Sequence, residues 1–105
     1  TSMEAALKNL AISESSSQLA ILGHMMELGE SSQKEHQRLI ELVAALGLEA
    51  ILVGNHFENC DHLGFPYFKT TSDAENYLRA HPFQNRLILL KGSRAVAMEK
   101  LVSVL

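Results

Sequence analysis

Apolar residues along this chain alternate between helical and strand-like spacing. Met3, Ala6, Leu7 and Leu10 share one helical face behind the capping-box spacing of Thr1 and Glu4, which predicts a short helix ending near Ala11. Ser13 to Ser17, with Glu14, is a polar loop, and Gln18 to Gly23 predicts a strand carrying Leu19, Ala20, Ile21 and Leu22. A second capping box, Ser32 and Glu35, opens a helix whose apolar side is His36, Leu39, Ile40, Val43 and Leu46, and Gly47 ends it. Glu49 to Val53 predicts the next strand. The irregular stretch GNHFENCDHLGFP follows from Gly54 to Pro66, with a helical turn expected from His56 to Cys60 and a short strand at Tyr67 to Lys69. Ser72 and Glu75 form a third capping box for a helix burying Ala74, Tyr77 and Leu78, which His81-Pro82 stops. After a loop from Phe83 to Asn85 comes a strand from Arg86 to Leu90. Met98, Leu101, Val102 and Leu105 then keep the i, i+3, i+4, i+7 spacing of a closing helix.

Helix and strand in alternation predict an α/β fold, a Rossmann-like three-layer domain with a mainly parallel sheet. Four consecutive apolar residues, Leu87 to Leu90, suit a strand buried on both faces, and chemistry then gathers at its carboxyl end. There the chain reads Lys91-Gly92-Ser93-Arg94. Gly92 permits a sharp turn, Ser93 can cap the next helix, and free N–H groups at a helix start beside two cations suit an anion. A plain strand-to-helix turn with Ser93 as cap and two solvated cations is the alternative. The order Lys-Gly-Ser, with no glycine four residues and more ahead, excludes a Walker phosphate loop.

At 105 residues the chain is one domain, residues 1–105, long enough for a single core. An apolar fraction of 47% with 20% charged residues is that of a globular protein. A net charge of −3 gives no electrostatic reason to expect nucleic acid or an anionic membrane as partner, and no apolar run approaches the roughly 20 residues of a membrane span. The single cysteine, Cys60, excludes an internal disulfide and fits a reducing cytoplasm. His56, Cys60, Asp61 and His62 have metal-ligand residue types, but the spacing matches no standard zinc pattern, so no metal site is expected. His36 lies on the apolar stripe of its helix and reads as a satisfied, partly buried histidine, with a supporting role behind a site as the weaker option. Met25-Met26 reads as packing.

Three strings in series carry a family resemblance. ILGHMMELG at Ile21 to Gly29, followed by His36, and KGSRAVAMEKLV from Lys91 match the order and spacing of LGDMxELG and KGSRxxxME in the carboxyl-terminal domain of the MurF branch of the Mur ligase family. Thr1-Ser2-Met3 is similar to the end of that family's YNANPxSM segment. The resemblance spans nearly the whole chain. It departs at His24, which stands where the family has Asp, so a carboxylate role there does not carry over, although an imidazole can still make one hydrogen bond.

The resemblance implies the third domain of a cytoplasmic ATP-dependent amide ligase that adds D-alanyl-D-alanine to UDP-N-acetylmuramoyl-tripeptide in peptidoglycan synthesis. It implies ATP and Mg2+ as cofactors of the whole enzyme, and as partners a central ATP-binding and an amino-terminal UDP-sugar-binding domain. Lys91, Ser93 and Arg94 are then expected to face substrate, and His24 and Glu27 to lie in a loop on the cleft, although Glu27 could equally brace the following helix. In the family a strand precedes the first helix, so the chain is expected to lack its first strand and, by itself, to be inactive. A stand-alone Rossmann-like binding module without ligase activity is the alternative.

Overall fold

A computed structural model describes residues 2–12, 18–23, 32–81 and 87–91. Their elements run α1 Ser2–Ala11, β1 Gln18–Gly23, α2 Ser32–Ala45, β2 Glu49–Val53, β3 Tyr67–Phe68, α3 Thr71–Ala80 and β4 Leu87–Lys91. All described strands pair in parallel, in the order β3-β2-β1-β4. The α/β reading with a parallel sheet is thus observed.

Alternation along the two central strands sends side chains to two cores, because successive residues of a strand point to opposite faces. Ala20, Leu22, Ala50 and Leu52 meet Met3, Leu7 and Leu10 of α1, Leu39, Ile40 and Val43 of α2, and Phe57. Leu19, Ile21, Ile51 and Val53 meet Ala74 and Leu78 of α3. Among the described residues the result is three layers: two helices, the sheet, one helix. Each fully buried aliphatic or aromatic side chain contributes roughly 1.5–3 kcal/mol relative to exposure.

Helix ends follow local chemistry. After α2 the Leu48 N–H donates to Val43 O at 3.2 Å and the Gly47 N–H to Ala44 O at 3.1 Å. With Gly47 at φ 71° this is a Schellman cap, and buried Leu48 supplies the apolar contact that accompanies it. The start of α3 corrects the expected Ser72 and Glu75 box. Thr70, extended at φ −127° and ψ 158°, is the cap, its Oγ1 accepting the Asp73 N–H at 3.1 Å. Thr70 and Asp73 have the same three-residue spacing, and capping from Thr70 lets the helix begin at Thr71 and bury Ala74 and Leu78.

Three further expectations shift. The helical turn after β2 is a 3-10 turn over Asn55–Phe57, earlier than His56 to Cys60. β3 stops at Phe68, one residue short of Lys69. β4 includes Lys91, and Ile88, Leu89 and Leu90 are only half-buried. Its neighbour among the described residues is β1 alone, so an apolar run that suggested burial on both faces belongs here to a less covered strand. The expected closing helix, with Met98, Leu101, Val102 and Leu105, lies outside the described residues.

Candidate functional site at the carboxyl edge of the sheet

In a parallel sheet every strand delivers its following loop to the same edge, and ligands of such sheets gather there. Register fixes how level those ends are. Lys91 pairs with Leu22, Gly23 with Val53, and Val53 with Phe68. β1, which leads into the GHMMELG string, therefore lies directly against β4, which leads into Gly92-Ser93-Arg94. The strands that lead into two motifs about 70 residues apart in sequence are thus one strand spacing, about 4.8 Å, apart. Lys91 itself is a strand residue and half-buried, a cation at the rim of the edge.

On the other side of β1, β2 leads into a loop whose exit is set by Gly54. This buried residue has φ 119°, which a side chain rarely tolerates, and its N–H donates to Phe68 O at 2.8 Å. The loop then folds over the amino-terminal half of α2. Gln33 Nε2 donates to Asn59 O at 3.1 Å, and Gln37 forms a two-way pair with Asp61, Nε2 to the carbonyl at 3.0 Å and Oε1 from the N–H at 2.7 Å. Between them His36 is fully buried, edge-on to Phe57 at 4.8 Å and to His56 at 5.4 Å between ring centroids. Residues 33, 36 and 37 share one helical face, so one stripe of α2 grips the whole loop.

The same contacts commit the residues of metal-ligand type. His62 Nε2 lies 2.7 Å from Phe57 O and its ring stacks on Tyr67 at 4.6 Å. The Cys60 thiol makes long contacts to Gln33 O at 3.7 Å and His56 O at 3.9 Å, and burial pushes its pKa above the ordinary value, which disfavours the thiolate a nucleophile requires. Among the described residues no group of three or more His, Cys, Asp or Glu side chains is arranged to hold a metal ion. Burial, with Glu58 second, also raises the Tyr67 phenol, whose buried oxygen has no hydrogen-bond partner among the described residues.

Of the residues expected to form the site, Lys91 is on the carboxyl edge, and His36 is buried under the loop that follows β2, more deeply than a partly buried histidine. His24, Glu27, Ser93 and Arg94 lie outside the described residues. Gln33 and Gln37 were not anticipated, although their i, i+4 spacing on either side of His36 was visible in the sequence. No helix among the described residues is long and apolar enough to cross a membrane.

No family model matches the chain. Over 96% of its length it is similar to the UDP-N-acetylmuramoyl-tripeptide–D-alanyl-D-alanine ligase of Rickettsia prowazekii (strain Madrid E), with 30% identity over 107 residues. The chain spans 24% of that ligase, a share consistent with one domain of a longer enzyme. The resemblance carried by the motifs therefore extends to the chain as a whole.

Proposed function

We propose that this chain is the carboxyl-terminal domain of an ATP-dependent ligase of the Mur family, one that adds D-alanyl-D-alanine to UDP-N-acetylmuramoyl-tripeptide in peptidoglycan synthesis. The observation that supports the reading is the adjacency of β1 and β4, the two strands that lead into the family-like motifs.

In this reading ATP supplies the phosphoryl group that activates the tripeptide carboxylate, and the magnesium ligands belong to the central domain. The part played by this chain is positioning. The incoming dipeptide carries a carboxylate at its far end, and a cation that holds it aims the amine without touching the reacting atoms. Arg94 suits this role because its planar fork can donate two parallel hydrogen bonds to a carboxylate; Lys91, a flexible point charge, serves the same carboxylate or a nearby phosphate oxygen. Closure of the domain over the cleft with the central and amino-terminal domains keeps water from a reactive acyl phosphate. His24 and Glu27 belong to the same cleft-facing edge.

The test is phosphate release by the full-length protein that carries this chain, supplied with ATP, magnesium, tripeptide precursor and D-alanyl-D-alanine. Full-length protein is expected to be active and the 105-residue chain alone inactive. Arg94→Ala is expected to raise the KM for the dipeptide about ten- to hundredfold, the cost of a charge-assisted hydrogen bond, while leaving that for ATP unchanged. Damage to the ATP constant alone would move the turn to the nucleotide, and an inactive full-length protein would overturn the ligase reading.

A further inference from the structure

We propose that Asn55 is a further substrate-contacting residue on the carboxyl edge, and that Gln37 is the residue that positions it; the inference rests on the ligase reading above. β4 and β2 flank β1, so Lys91 and the start of the 54–62 loop stand about two strand spacings apart, roughly 10 Å. An extended dipeptide spans about 7 Å. A carboxylate held on the β4 side therefore leaves the peptide group of the same dipeptide within reach of a side chain on the β2 side.

Asn55 fits that place. It is exposed, it follows directly on the buried, conformationally fixed Gly54, and its amide both donates and accepts, as recognition of a peptide group requires. Its neighbours are engaged elsewhere: His56 packs its ring on His36, and Glu58 pairs with Lys69 at 3.9 Å. The Asn55 carbonyl accepts the Glu58 N–H at 3.1 Å, which ties Asn55 to the 3-10 turn, and the turn to the loop that Gln37 holds through both hydrogen bonds to Asp61. Gln37, on α2, holds the loop at Asp61, six residues beyond Asn55, and acts through the position of Asn55.

The experiment is a double-mutant cycle in the full-length ligase, with dipeptide and ATP constants measured separately and folding followed by thermal melting. Asn55→Ala is expected to raise the dipeptide KM about three- to tenfold, as loss of a neutral hydrogen bond would, with the ATP constant and the melting temperature unchanged. Asn55→Asp, which brings a negative charge towards the dipeptide carboxylate, is expected to raise it further. Gln37→Ala is expected to raise the same constant by a smaller factor, and the Asn55→Ala/Gln37→Ala double variant to be no worse than Asn55→Ala alone. An unchanged dipeptide KM in Asn55→Ala would overturn the assignment of Asn55. Strictly additive effects of the two substitutions would overturn the positioning role of Gln37. Inactivity of the unmutated full-length protein would instead remove the ligase reading itself, an outcome distinct from both.

Discussion

Among the described residues the two faces of the sheet are built unequally. On one, the strands contribute the paired alanines Ala20 and Ala50 ahead of the paired Leu22 and Leu52, and the space the alanines leave admits two helices and Phe57. On the other, the strands contribute the larger Leu19, Ile21, Ile51 and Val53, and the only described helix against them, α3, offers Ala74 and Leu78 as its buried residues. Half-buried aromatics complete the second face: Phe68 against Tyr77 at 5.0 Å, and Tyr77 stacked on His81 at 4.3 Å. Tyr77 also borders an open cleft of about 310 Å³, with Leu19, Ile51, Phe65 and Pro66, at the amino-terminal end of the strands. Small residues in a strand thus leave room for more of the described helices above it, and the face so filled is the one that continues through Phe57 and His36 into the loop at the carboxyl edge.

That inequality can be broken at its most filled point. Phe57 is fully buried where α2, the sheet and the loop meet, so Phe57→Ala is expected to cost about 3–5 kcal/mol, read as a lower denaturant midpoint of the domain. Leu78→Ala removes the larger of the two fully buried α3 side chains from the second face and is expected to cost about 2–4 kcal/mol, nearer the lower end because the neighbouring half-buried aromatics can shift into the space. If Leu78→Ala proved the more damaging of the two, the second face would contribute more to stability than the face around Phe57. Smaller again is Thr70→Ala, which leaves the Asp73 N–H without its cap and is expected to cost about 1 kcal/mol. Thr70→Ser, which keeps the oxygen, should recover most of it.

The smallest expected effect sharpens the comparison at the surface of the two-helix face. Glu4 bridges α1 to α2, with Lys8 at 3.3 Å and Arg38 at 3.0 Å. Its hydrogen bond to Lys8, with the charges of Arg38 and Lys8 behind it, holds its carboxyl below the ordinary value of 4.5. A carboxylate whose pKa is lower in the folded chain stabilises that chain above the unfolded value and loses the contribution as pH falls through the folded one. The melting temperature should therefore drop slightly on acidification below about pH 4.5, and Glu4→Gln should flatten that part of the profile. An unaltered profile would show that solvent screens the bridge completely.

Much of the element order was legible because it rests on near neighbours in the chain. The i, i+3, i+4 stripe of Leu39, Ile40 and Val43, the run of Leu19 to Leu22, and the stop at Gly47 each depend on residues within about five positions, and β1 and β2 run over the predicted residues. The start of α3 was misplaced because Thr70 and Ser72 both satisfy the local capping pattern, and the burial of Ala74 and Leu78 separates them.

What the sequence by itself determined is therefore most of the described elements, the parallel α/β class and the motifs that resemble those of the Mur ligases. Only tertiary structure decided how those pieces meet. Placing β4 beside β1 joins residues about 70 positions apart, and among the described residues β4 is half-buried with β1 as its neighbour, which no local pattern encodes. His36 shows the same division: its place on an apolar stripe was readable, but its contacts with Phe57 and His56 arise only once α2 has packed against the loop after β2. The bonds from Gln33 and Gln37 to that loop span 26 and 24 residues, and an exposed-looking polar side chain acquires such a backbone partner only when the hydrophobic layers have brought the two segments together.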